Sequence, residues 1–187
     1  MQRTFTAGPW AALAIALAVF AGVAWAAQAD VALSQVSFLA KQSEVALEGR
    51  FAQFAADTDF DPAHPQAGHV KVSIDLSSVD AGGADANNLL KSKEFFDVAG
   101  APNATFVSTA VSARGASGFQ AAGTFTLKGH SVNLVIPFVA RSDATGLWVE
   151  GGAPISRLAF KVGEGQWGDT SLLDDDVQIR FKVHIAR

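Results

Sequence analysis

Strict alternation of apolar and polar residues constrains this chain more than any other feature. Val70, Val72, Ile74 and Leu76 alternate with His69, Lys71, Ser73 and Asp75. Near the C-terminus Val177, Ile179, Phe181, Val183 and Ile185 alternate with Gln178, Arg180, Lys182 and His184. A period of two places one set on each face of a strand, so these runs predict strands with one apolar and one solvated face. Six further strands are expected over 34–41, 44–54, 104–113, 118–127, 131–141 and 147–162, the last irregular around Gly151-Gly152-Ala153-Pro154. Gly49 suggests a bulge or bend, and Lys128-Gly129 reads as a tight hairpin turn. About eight antiparallel strands suffice for a closed up-and-down barrel, in which closure removes the exposed edges.

One segment departs from that period. Over 86–96, Leu89, Leu90, Lys93 and Phe96 fall at helical spacing behind Asp85, a candidate N-cap. The expected fold is therefore all-β, an eight-stranded antiparallel barrel with one short helix near its mouth.

The first 29 residues read differently. Arg3 precedes an apolar run from Trp10 through Ala24, followed by Ala24-Trp25-Ala26 and Ala27-Gln28-Ala29. A positive start, an apolar middle and Ala-x-Ala ends make a secretory signal peptide. The alternative is an uncleaved anchor helix. The two Ala-x-Ala sites favour cleavage, near Ala29, leaving a single domain over 30–187 in the periplasm. Arg3 has no second arginine beside it, which points to the general secretory route. The chain has no cysteine, so a secreted domain of this kind must be held by its core alone.

Composition excludes several functions. The net charge is −4 and the arginines are scattered, so no basic stripe addresses nucleic acid. Nucleophilic catalysis finds no Cys, no Gly-x-Ser-x-Gly turn and only four histidines, at 64, 69, 130 and 184. His130 is expected in a turn and His184 on the solvated face of the last strand. Asp57, Asp59 and Asp61 open like a calcium loop, but Pro62 stands where glycine is needed and Gly68 where glutamate is needed. His64 and His69 flank a proline-containing loop without preorganisation for a metal, and Asp174-Asp175-Asp176 reads as a solvated acidic turn. Gly163-Glu164-Gly165 opens no helix and carries a carboxylate, unlike a phosphate loop. No catalytic residue, metal ligand or cofactor is assigned. The chain holds 14 Phe and no Tyr, and only Phe5 and Phe20 fall in the leader. That is aromatic bulk without a hydroxyl to satisfy, suited to a Phe-rich core or an apolar chamber.

Several stretches in order resemble the YceI family of periplasmic lipid-binding proteins. They are Gly49-Arg50-Phe51-Ala52-Gln53-Phe54, Ile74-Asp75-Leu76-Ser77-Ser78-Val79, Leu90-Lys91-Ser92-Lys93-Glu94-Phe95-Phe96-Asp97, Gly123-Thr124-Phe125-Thr126-Leu127-Lys128-Gly129 and Arg157-Leu158-Ala159-Phe160. In the last, Ala159 replaces the family's acid. Gly163-Glu164-Gly165-Gln166-Trp167 resembles a subtype whose members often accompany membrane b-type cytochromes. The resemblance implies a lipocalin-like eight-stranded barrel that binds a long isoprenoid chain, and it carries over no catalytic residue.

The expected function is thus a periplasmic carrier of a polyisoprenoid, a quinone or prenyl lipid, and not an enzyme. A barrel about 25 Å tall suits a chain threaded lengthwise. Two other classes are a filled-barrel module partnering a membrane b-type cytochrome and an enzyme acting on such a lipid. The expected lining comprises Phe38, Phe51, Ile74, Leu76, Leu90, Phe95, Phe96, Phe106, Phe125, Leu134, Ile136, Phe138, Phe160, Ile179 and Phe181.

Overall fold

The computed structural model describes residues 27–115 and 117–186. The leader expected over 1–29 lies outside them except for its last three residues. The fold is all-β with one α-helix, and a single antiparallel sheet curls around an apolar interior.

In chain order the strands are β1 (Ala27–Gln28), β2 (Gln35–Gln42), β3 (Val45–Phe51), β4 (Phe54–Thr58), β5 (Val70–Asp75), β6 (Val79–Asp80), β7 (Asn103–Arg114), β8 (Gly118–Leu127), β9 (His130–Ser142), β10 (Gly146–Ser156) and β11 (Asp176–Ala186). Their order in the sheet is β1-β4-β5-β7-β8-β9-β10-β11-β2-β3-β6. The count is eleven against the eight expected, because Ala27–Gln28 adds β1 and two interruptions add the other two. Ala52 and Gln53 interrupt the run expected over 44–54, separating β3 from β4. The 3-10 turn Leu76–Ser78 separates β5 from β6. The two interruptions face each other, since the Ala52 N–H donates to the Ser78 carbonyl and the Asp75 N–H to that of Gln53.

Period-two alternation survives in the packing. Val36, Ile74, Phe106, Ala121, Phe125, Phe138, Val183 and Ile185 are buried in one contiguous core. The register shift between Ser108 and Ala110 lets β7 hold Phe106 and Val111 inside on either side of it. Gly49 makes no bulge: it pairs in register with Phe38. Its role is space, because a Cβ there would lie 2.3 Å from the tip of the Phe38 ring. Gly151 and Gly152 likewise stay in unbroken register with Phe181 and Arg180. The run expected over 147–162 instead ends at Ser156, followed by the 3-10 turn Leu158–Phe160 and left-handed Lys161. The β8–β9 hairpin turns at Lys128 and Gly129, both at positive φ, and His130 opens β9 instead of sitting in the turn.

The helix α1 spans Ala84–Lys91, shorter than expected. Gly83 is its N-cap, and Asp85 lies in the first turn, where a carboxylate complements the helix dipole. The backbone then tightens, with the Phe95 and Asp97 N–H groups both donating to the Ser92 carbonyl.

The expectation that His184 is solvated is corrected. It is 3% exposed, because the segment leading into β2 covers the outer face of β11. The Asp30 N–H donates to the His184 carbonyl and the His184 N–H to Ser34 Oγ. The ring packs against Trp148, and its Nε2 meets the Thr145 hydroxyl at 3.1 Å, while its buried Nδ1 has no partner. Asp175 is no purely solvated residue either, since it accepts from Ser156 Oγ and the Leu158 N–H.

The β9–β10 turn is closed by Asp143, which accepts from the Thr145 hydroxyl and N–H, the Gly146 N–H and the Trp148 indole N–H. These donors, the Thr145 hydroxyl foremost, lower its pKa from 3.8 to about 2. A depressed carboxylate stabilises the fold above its unfolded value, and that contribution is lost as pH falls through the folded one. The Trp148 indole N–H resonance is therefore expected to shift as pH falls from about 4 to about 2. Asp143→Asn should abolish that transition, and an unchanged one in the variant would contradict the assignment.

Candidate functional site

Two apolar chambers occupy the interior. The outer one, about 390 Å³, lies between β2, β3 and the helix side of the sheet. The inner one, about 130 Å³, is walled by β4, β5 and β7–β11. They share Val36, Ile74, Phe125 and Ile179 as lining residues, so the two chambers abut at that ring.

Of the expected lining, Phe38, Phe51, Leu76, Leu90, Phe95 and Phe96 face the outer chamber. Phe106, Leu134, Ile136, Phe138 and Phe181 face the inner one, and Ile74, Phe125 and Ile179 face both. Phe160 faces neither. It is 1% exposed and packs edge-on against Phe125 at 5.3 Å, so it supports the wall from behind. A continued strand would have set Phe160 with Pro154, on the face away from Ala153 and Ile155, and the turn after Ser156 is what buries it.

Aromatic clusters stand at both ends. Phe38, Phe51 and Phe96 meet with ring centroids 5.7–6.2 Å apart in the outer chamber wall, where Leu89 and Leu90 of α1 also contribute. Phe60, Phe119 and Phe138 meet at 5.1–5.6 Å at the inner end. The alternation pattern does not find Phe60, which lies in a loop. Its place is set by Thr58, whose hydroxyl accepts the Phe60 N–H and donates to the His69 carbonyl.

The polar groups on this space are few. Thr58 is the one polar side chain lining the inner chamber among the described residues. The outer chamber has Glu48 and Arg157 as its charged lining residues. Arg157 is 3% exposed, and all five of its donors are spent on carbonyls. Nε donates to Asp174, Nη1 to Val162 and Gly163, and Nη2 to Trp167 and Leu173, at 2.7–2.9 Å. Burial lowers its pKa from 12.5, offset in part by the charges of Asp175 and Asp174. Composition offered no signal for this role, although Arg157 stands inside one of the quoted motifs. Lys128 acts similarly next door, its Nζ reaching the Glu94 and Lys161 carbonyls and Glu164 Oε2. With every guanidinium hydrogen committed, Arg157 organises the loop over 157–175 and has none left for a ligand.

Outside the chambers, His69 pairs with Asp59 and His64 with Asp61 on the surface, both imidazoles about four-fifths exposed. The His69 N–H holds the Asp59 carboxyl below its usual range, and the Ala63 N–H does so for Asp61. Among the described residues no group of three or more His, Asp or Glu is arranged to hold a metal ion.

A curled antiparallel sheet enclosing apolar space, with its buried lining arginine saturated by backbone, defines the class of small β-sheet proteins built around an apolar interior. The chain belongs to the YceI-like domain family, which it matches over residues 27–185. It is similar to BcnA of Burkholderia cenocepacia, with 37% identity and a TM-score of 0.81, covering 83% of this chain and 98% of that one. A polyisoprenoid binding domain from Saccharophagus degradans implicated in plant cell wall breakdown shares the fold, with a TM-score of 0.67 at 17% identity, over 87% of this chain and 99% of that one. A UPF0312 protein of Vibrio cholerae is 31% identical over 71% of this chain and 72% of its own length. The UPF0312 protein of Azotobacter vinelandii is 38% identical over 48% of this chain, and the match spans about half of that relative's length (47%).

Proposed function

We propose that the protein is a periplasmic carrier that holds a long apolar chain, a polyisoprenoid of the quinone or prenyl-lipid kind, lengthwise in its interior. The observation that carries this reading is the pair of apolar chambers that abut at Val36, Ile74, Phe125 and Ile179. A compact ligand would be served by one rounded cavity, whereas two abutting ones suit a flexible chain. The polyisoprenoid-binding name of the Saccharophagus domain and the family membership support the same reading. The barrel in this proposal is closed by eight long strands, with β3–β4 and β5–β6 each acting as one kinked strand.

Such a chain leaves a bilayer and not water, so the ~0.8 kcal/mol gained per buried methylene is nearly cancelled on transfer. A carrier works by that near balance, which lets it load and unload. The saturated Arg157 argues for a neutral chain end, because no free cation lines either chamber among the described residues to meet a phosphate. Native mass spectrometry of freshly purified protein tests the reading. A mass adduct of lipid size is expected, and bare protein alone, with no uptake from isoprenoid-loaded vesicles, would overturn it.

Export is part of the proposal, and the strand pairing favours the earlier of the two candidate processing sites over the one expected near Ala29. Ala27 and Gln28 pair with Thr58 and Asp57, and the Ala29 N–H donates to the Ala56 carbonyl. Cleavage after Ala29 would discard these contacts, whereas cleavage at the earlier Ala24-Trp25-Ala26 site keeps them. N-terminal sequencing of the exported protein is expected to read from Ala27. A start at Asp30 would contradict the choice of site, and a start at Met1 in the membrane fraction would contradict cleavage itself.

A further inference from the structure

We infer that the rim of the outer chamber is a docking surface for a zwitterionic lipid bilayer, formed by the β2–β3 hairpin, the loop beside it and α1. Large apolar side chains stand in water there: Val45 is 62% exposed, Leu172 47%, Leu47 40% and Leu89 39%. The loop is fastened to the hairpin, since the Ser43 N–H donates to the Leu172 carbonyl and the Asp174 N–H to that of Lys41. The hairpin turn itself is rigidly set by Ser43 and Glu44, both at positive φ.

Leu47 and Leu89 also line the outer chamber. The exposed apolar surface is thus the chamber's own wall continued outward, and whatever covers the rim borders the chamber's contents. The charges choose the occupant. Lys41, Glu44, Glu48 and Arg50 lie on the hairpin, Asp85 and Lys91 on the helix, and Asp169 and Asp174 on the loop. This mixed set has an acidic excess, like the whole chain at −4. It offers no basic cluster to an anionic surface, and a headgroup carrying both charges is its match. Preferring lipid over a protein partner rests on the chain-binding reading above, since a carried isoprenoid must enter from a bilayer. Insertion of apolar side chains, in contrast to attraction by charge, is insensitive to salt.

The test uses the mature protein and phosphatidylcholine vesicles in a flotation assay at about 0.05 M and about 0.5 M salt. Wild type is expected to float with the vesicles equally at both. Val45→Asp with Leu172→Asp, neither of which lines a chamber, should bind at least roughly tenfold more weakly. The same variant should still take up a short-chain quinone delivered from cyclodextrin, which verifies its fold and its chambers. Failure of wild type to float, equal flotation of the variant, or flotation only on anionic vesicles at low salt overturns the docking. So does a concentration-dependent dimer that the variant loses, because the face then belongs to a second copy. If neither protein takes up the quinone while wild type floats and the variant, with the circular dichroism and thermal unfolding of wild type, does not, the docking stands and the carrier reading fails; a variant that has lost either signature is replaced by Val45→Ser with Leu172→Ser, read in the same way.

Discussion

Replacing Arg157 by methionine is expected to destabilise the protein by about 4 kcal/mol or more, a loss well outside the usual range for single substitutions. Methionine fills much of the space but leaves the carbonyls of Asp174, Val162, Gly163, Trp167 and Leu173 without their donor. Each buried acceptor left unpaired costs about 1–3 kcal/mol, less where water can reach it. For a domain of this size that corresponds to a fall in Tm on the order of 10 °C. Arg157→Lys should recover only part of the loss, because an ammonium offers three donors where the guanidinium offers five. Trp167 and Leu173 belong to both the clamped loop and the outer chamber wall, so the variant should also retain an apolar ligand poorly. Thermal unfolding of the three proteins checks this. A loss below about 1 kcal/mol for the methionine variant would mean that the loop does not depend on the clamp.

Filling the narrow ring between the chambers should abolish capture of a long chain. Ile74 borders both chambers and Ile136 the inner one. Ile74→Trp with Ile136→Trp would occupy much of a space of about 130 Å³ while keeping the wall apolar. Overpacking of this kind costs about 1–3 kcal/mol, which a stable domain tolerates. Lipid extracted from the purified variant should fall at least roughly tenfold, with the circular dichroism of the sheet preserved. Single alanine substitutions should do much less, because binding is spread over many contacts of ~0.1–0.2 kcal/mol each. Should the double variant not fold, Leu134→Trp places about half of that added bulk in the inner chamber. A folded variant that carries as much lipid as wild type would contradict an inward-reaching chain.

What the sequence made legible follows the physics of a strand. Ile74, Phe125 and Ile179 declared their inward direction because side-chain period is two, and any buried face repeats it. Interruptions were less legible. Nothing in Ala52-Gln53 announces a break, whereas the turn over Leu76–Ser78 has a local signal in Asp75, whose carboxylate accepts the Ser77 N–H and whose carbonyl accepts the Ser78 hydroxyl. The end of β10 at Ser156 is marked only by a change of parity, since Leu158 and Phe160 stand out of phase with Val149, Ala153 and Ile155. Phe160 was assigned to the lining, whereas it backs Phe125. His184 looked solvated because strand alternation describes one sheet and knows nothing of a segment from the other end of the chain laid over it. Arg157 was invisible for the same reason, as its partners come from loop carbonyls up to 17 residues away.

Whether the interior holds an apolar chain is read by organic extraction of the purified, never-delipidated protein followed by mass spectrometry. The account predicts one dominant isoprenoid with a neutral end, near one per protein and depleted in the Ile74→Trp, Ile136→Trp variant. An extract without lipid, or one with the same lipid in equal amount from wild type and the filled variant, would contradict it.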